Sequence, residues 1–287
     1  MTTDTQAIHP DTQMGTVVLT VTDLERMKTF YEEAIGLTVL STAEESVRLG
    51  VDDRALVELV HRPGATERPY GTTGLFHLAI LVPDRSELAR AIRRVIEAGW
   101  GFTGASDHLV SEAMYLDDPE GNGIEIYRDR PRNEWRSSNG QLAMATLPLD
   151  VDGVLGELAG ETISPEKMAN GTRMGHVHLN VADLDETEAF YVQRLGFEVT
   201  VRGYPGALFV SAGGYHHHLG LNTWAGPGAP PAPTGSRGLR TFEVVIPDAV
   251  ELERIEKRLD STVTDMSRDD GGLTVPDPSG NRVHLTL

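Results

Sequence analysis

MGTVVLTVTDLERMKTFYEEAIGLTVL (14–40) lies without a gap over MGHVHLNVADLDETEAFYVQRLGFEVT (174–200), and 11 of the 27 positions are identical. Agreement at that level between distant parts of one chain indicates an internal duplication. Each copy opens with alternating residues that predict a strand. It then passes through Asp-Leu into an amphipathic helix carrying a Phe-Tyr pair, and leaves that helix at a glycine suited to a helix C-terminus.

A second pair of segments extends the pattern. GLFHLAILVPDRSELARAIRRV (74–95) matches GLRTFEVVIPDAVELERIEKRL (238–259), again strand into helix. Both copies close alike, with DPEGNGIEIY (118–127) against DPSGNRVHLTL (277–287), an Asp-Pro-x-Gly-Asn turn feeding a last strand. The chain therefore reads as α+β, built from four βαβββ modules at roughly 14–63, 74–131, 173–226 and 238–287. Grouped in chain order, these give an N-terminal domain over 14–131 and a C-terminal domain over 173–287, each with a cupped mixed sheet. RPGATERPYG and WAGPGAPPAPTGSRG are Pro/Gly-rich links within the halves. Residues 132–172 form a mixed linker in which DVDGVLGEL predicts a short helix, and residues 1–13 read as a solvated tail.

Composition narrows the function. With Lys+Arg 25 against Asp+Glu 43 the formal net charge is -18, which repels phosphate backbones and anionic lipid. Nucleic acid and membrane are poor partners for such a chain. No apolar run approaches the roughly 18 residues of a membrane span, and the polar start resembles no signal peptide, so a cytoplasmic location is expected. The chain has no cysteine. Any metal must then be held by histidine and carboxylate.

The strand openings such as GHVHLNV, with the phrases DHLVSEAMYLDDPEGNGIEIY and SAGGYHHHLGLNTWAG, resemble the vicinal oxygen chelate superfamily over nearly the whole chain. Within it the chain is most similar to the two-domain, catechol 2,3-dioxygenase-like (type I extradiol) branch. The strand openings are shared by glyoxalases and antibiotic-binding proteins and fix only the fold. The resemblance implies iron held by two histidines and one glutamate on first and last strands of modules. In a usual member all three lie in the C-terminal pair of modules. Here that pair offers His176, but Thr241 and His284 stand where the second histidine and the glutamate belong. The repeat repairs the set, because Thr241 aligns with His77 and His284 with Glu125, while module one has Thr16 in place of His176. His77, Glu125 and His176 are complete as a ligand set only if modules two and three share one cup. The one/four cup, with Thr16, Thr241 and His284, would then be metal-free.

The resemblance also implies the remaining roles. Two imidazoles and a carboxylate leave coordination positions open on Fe(II), or on Mn(II) as the second choice, for a chelating diol and dioxygen. The family's acid/base histidine falls on His217 in GYHHHLGLN, since imidazole titrates near working pH. If that run lay in a strand, His216 and His218 would point to one face and His217 to the other. Tyr115 matches a tyrosine that hydrogen-bonds the substrate. His108, in a segment over the substrate, is counted with Tyr115 and His217 as catalytic, and His178 and His218 are assigned to substrate binding at the pocket wall or rim. His9, His61 and the Phe-Tyr pairs read as structural, as does His284, with a second weak site pairing it with His176 as the rival account.

Three functions compete. The first is ring cleavage of a catechol or hydroquinone with O2. The second is a glyoxalase-type isomerase or lyase, which takes a fourth ligand and a second carboxylate that GYHHHLGLN does not carry. The third is a metal-free protein that sequesters a small aromatic molecule, which leaves the complementary ligand positions unexplained. Edge pairing between such modules makes a homodimer reasonable.

Overall fold

The computed structural model describes residues 7–138, 140–161, 167–260, 265–269 and 271–287. Two eight-stranded mixed sheets form its framework. The first runs Glu198–Tyr204, Ala207–Ser211, Leu219–Asn222, Arg173–Asn180, Gly74–Leu81, Gly123–Asp129, Ser111–Asp117, Gly104–Asp107. Four of its strands come from module three and four from module two. The second sheet joins modules four and one through Gly238–Val245 and Gln13–Val21 in the same way. Sheet pairing thus crosses the chain-order halves: two with three, and one with four.

Each module spends its motif residues on the same tasks. The aspartate before each helix caps it: Asp23, Asp84, Asp183 and Asp248 accept from the backbone N–H of Arg26, Glu87, Glu186 and Glu251. The first and third helices end at Gly36 and Gly196, whose φ of 89° and 95° are left-handed values that a side chain disfavours. Phe30, Tyr31, Phe190 and Tyr191 are buried, as core residues should be. The tyrosines do more than fill space. Tyr31 donates to Asp118 Oδ2 at 3.2 Å and Tyr191 to Asp277 Oδ2 at 3.0 Å. These are the aspartates of the two Asp-Pro-x-Gly-Asn turns, and each also accepts from two backbone N–H groups of its own turn. The hydroxyl struts therefore join module one to two and module three to four.

Two expectations change. The stretch ahead of residue 14 is not a free tail where it is described, because Ile8 is 3% exposed and its N–H donates to the Gly196 carbonyl at 2.8 Å. An apolar side chain beside an open helix end finds both packing and a hydrogen bond there. Residues 1–6 lie outside the described residues. The linker contains the expected short helix, Val151–Gly156 capped by Asp150, but it also packs along the first sheet, where Asp107 and Leu147 exchange backbone hydrogen bonds. No helix among the described residues is long and apolar enough to cross a membrane.

Candidate active site

Register alone brings the key residues to one face. In the antiparallel junction of the first sheet His178 lies opposite His77 and His176 opposite Ala79. Ala79 pairs with Glu125 in the next strand, and Glu125 with Tyr115 in the one after. Paired residues share a face and alternate residues along a strand return to it. His77, His176, His178, Glu125 and Tyr115 therefore all point into the same concavity.

Three of them converge. His77 Nε2 lies 3.0 Å from Glu125 Oε2, His176 Nε2 lies 3.2 Å from the same oxygen, and the two Nε2 atoms are 3.4 Å apart. All three residues are at most 6% exposed. Donor atoms bound to one transition-metal ion at about 2.0–2.2 Å sit about 3.0–3.4 Å from one another, so the spacing fits a shared ion. Among the described residues this is the one group of three or more such donors positioned to hold a metal. The donors are also in the right state. Burial pushes His176 down to about 4 against the opposing pull of Glu125, so at neutral pH its imidazole is neutral and has a lone pair to give. Burial alone would raise the Glu125 carboxyl, but its two imidazole neighbours hold it well below the usual carboxylate range.

A bulge shapes the wall next to the triad. His178 faces His77 and Leu179 faces Leu75, which leaves Phe76 as an extra residue without a partner. Strict alternation would turn Phe76 away from His77, yet both line the cavity. Phe76 packs edge-on against His178 and Trp224, with centroids 5.1 and 5.2 Å apart. His178 is buried, its Nε2 has no partner, and burial and the neighbouring imidazoles push it well below its ordinary value. It is a neutral wall. Gly220 lies opposite His178, and a Cβ there would stand 2.8 Å from the ring, so the close approach requires glycine.

The three histidines do not lie within a strand. The chain turns through Gly213 and Gly214 and becomes a strand only at Leu219, so alternation does not apply to the run. His217 lines the cavity, with its ring centroid 4.1 Å from that of His176. Burial first, then His176 and His216, push His217 well below its ordinary value, leaving it neutral. Its Nδ1 lies 2.7 Å from His216 Nδ1, and His216 Nε2 donates to Asp129 Oδ1 at 2.9 Å. That bond places the His216 ring proton on Nε2 and leaves Nδ1 to accept, so His217 donates from Nδ1 and keeps a lone pair on Nε2. His218 does not belong to the cup. It accepts from the Ala212 N–H through Nδ1, lies tilted against the Tyr215 ring and faces a separate cleft beside Pro10. The expectation of a substrate contact at His218 is corrected accordingly.

Tyr115 and His108 form one unit. The Tyr115 hydroxyl lies 2.6 Å from His108 Nε2, and His108 Nδ1 donates to the Ala145 carbonyl at 2.7 Å. This fixes the tautomer in which Nε2 accepts from the tyrosine. Burial and the Glu125 charge push the Tyr115 hydroxyl well up, so it stays protonated. Met144, Ala145 and Thr146 of the linker close this side of the cavity, whose volume is about 460 Å³, and Thr146 meets the Tyr204 hydroxyl at 2.6 Å. Sequence reasoning missed Asp129, His216 as a partner of His217, Phe76, Trp224 and this linker wall. Asp129 had a signal, since Glu125, Tyr127 and Asp129 alternate along one strand.

The other cup is differently equipped. The Thr16 backbone N–H donates to Glu243 Oε2 at 2.8 Å, and His284 Nδ1 lies 2.9 Å from Thr274 Oγ1. His284 and His176 belong to different sheets.

Residues 13–126 and 173–285 match the model of the Glyoxalase/Bleomycin resistance protein/Dioxygenase superfamily. The chain belongs to that superfamily. A Bacillus subtilis (strain 168) member named catechol-2,3-dioxygenase is 45% identical over 277 residues, covering 95% of this chain and 96% of its own. Two solved structures share the superfamily's fold at low identity. A protein from Bacillus subtilis subsp. subtilis str. 168 has a TM-score of 0.67 and 12% identity, covering 98% of this chain and 86% of that one. Glyoxalase I from Zea mays has a TM-score of 0.59 and 18% identity, covering 96% and 92%.

Proposed function

We propose that this protein is an iron-dependent extradiol dioxygenase that opens the ring of a catechol-type substrate with O2. The convergence of His77, Glu125 and His176 in an open cavity beside His217 and Tyr115 carries the reading. The 45% identical relative named catechol-2,3-dioxygenase supports it. The donor set suits Fe(II), with Mn(II) as the second choice. A glyoxalase-type centre would call for a second carboxylate, and the group of donors contains Glu125 alone.

The bound metal would supply Lewis acidity and a path for electron density between a chelated diol and dioxygen. The chain supplies the rest. His217 takes a proton from a diol hydroxyl at Nε2 and later returns it to oxygen, with Asp129 and His216 holding the ring in the tautomer that leaves Nε2 free. Tyr115, its proton committed to His108 Nε2, offers its hydroxyl oxygen as an acceptor that orients a substrate hydroxyl. The buried walls exclude bulk water and strengthen these hydrogen bonds. In the overall reaction the ring C–C bond beside one hydroxylated carbon breaks and both atoms of O2 enter the product. No external reductant is consumed.

The test is to load the purified protein with Fe(II) under anaerobic conditions, measure bound metal, then add catechol and air. A yellow ring-opened product with one O2 consumed per ring opened is expected. Bound iron without turnover of any catechol would overturn the proposal.

A further inference from the structure

Resting on the ring-cleaving reading above, we infer that the cup selects an uncharged catechol bearing an apolar substituent and rejects one bearing a carboxylate side chain. A cavity of about 460 Å³ lies within the range of about 300–1,000 Å³ that encloses drug-sized ligands, so there is room beyond the diol ring. The lining decides what can fill that room.

None of the described residues lining the cavity is lysine or arginine, and the residues outside the description contain neither. Asp117 and Glu125 both border the cavity. A substrate carboxylate that gave up its hydration here, away from the metal held by Glu125, would meet no side-chain cation and would stand near the like charge of Asp117. The chain's net charge of -18 adds to the repulsion outside.

The mouth offers apolar surface instead. Phe76 and Trp224 remain 41% and 44% exposed, although they pack edge-on against each other, and Phe209 backs them through His178. Large aromatic side chains left half open beside a deep cavity have surface to bury against a ligand. The bulge that turns Phe76 toward the cup places this apolar surface beside His77, within reach of a ligand held at the triad.

The experiment compares 4-propylcatechol with 3,4-dihydroxyphenylacetate, which have similar shape and differ in charge. Each is titrated calorimetrically into the protein without oxygen, with and without Fe(II), and each is then assayed for O2 uptake. The propyl compound is expected to bind and turn over at least about tenfold better. Equal or tighter binding of the carboxylate would overturn the inference while leaving ring cleavage intact. Failure of every catechol to bind or open would overturn both, which is a distinct result. Two variants at exposed positions sharpen the test. Trp224→Ala should shrink the propyl preference, and Thr146→Arg should raise affinity for the carboxylate. An unchanged ratio in both would also overturn the assignment.

Discussion

The Nδ1 atoms of His216 and His217 lie 2.7 Å apart, and the far side of His216 is held by Asp129. This chain of bonds gives the proposed base its orientation without touching substrate. His217→Asn should lower kcat about 10²- to 10⁴-fold, the usual range for losing a general acid/base. Asp129→Asn should cost less, about ten- to a hundredfold, as for other supporting partners. Bound iron should be unchanged in both, so metal analysis beside steady-state kinetics separates this role from ligation.

Metal content should follow the complementary positions. His77→Ala, His176→Ala and Glu125→Ala are expected to lose stoichiometric iron, whereas Thr241→Ala and His284→Ala retain it. Elemental analysis after anaerobic loading reads the outcome directly. Iron lost at His284 and kept at His77 would reverse the ligand assignment.

Burial, reinforced by His216 and His176, pushes His218 down to about 3. Its value in the unfolded chain is about 6.5. Between these limits the unfolded state binds the extra proton, so the stabilisation from the neutral ring is complete above about pH 6.5 and is lost as pH falls toward 3. Denaturant unfolding of the metal-free protein should show a slope approaching about 1.4 kcal/mol per pH unit for this group. His218→Gln should flatten that slope.

The tyrosine struts should matter to stability and little to chemistry. Tyr191→Phe removes a donor from the buried Asp277, and Tyr31→Phe does the same at Asp118. Each should cost about 1–3 kcal/mol in chemical denaturation, since a buried carboxylate loses a partner that water does not replace.

Gly220→Ala should act on the pocket wall. The added methyl would press on the His178 ring from 2.8 Å, moving it toward Phe76. KM should rise several-fold on steric grounds, with bound iron retained.

How far the sequence reached depends on the kind of order involved. The repeat made the strands and helices legible, because strand alternation, the capping aspartates and the closing glycines are local features. His77, Glu125 and His176 could be found because each gap in one module is filled in its counterpart. Phe76 could not, because a bulge breaks the two-residue period that places side chains on a face. For His218 alternation alone would have turned the ring away from the side of His217, and the structure places it beside a separate cleft. The Ala145 carbonyl was out of reach, because a backbone group in a linker has no residue type to signal it.

The struts and the sheets together link the four modules in a closed cycle, one to two, two to three, three to four and four to one. Separating the chain between its halves would leave Gly74–Leu81 and Gln13–Val21 as raw edges on one fragment, and Arg173–Asn180 and Gly238–Val245 on the other. Each fragment would have to pair its two edges with each other, with the other half or with a second copy of its own. A co-expressed pair should reassemble the full cycle in trans. The fused gene, by contrast, frees the two cups to diverge, and among the described residues His77, Glu125 and His176 bring metal-type donors together in one of them.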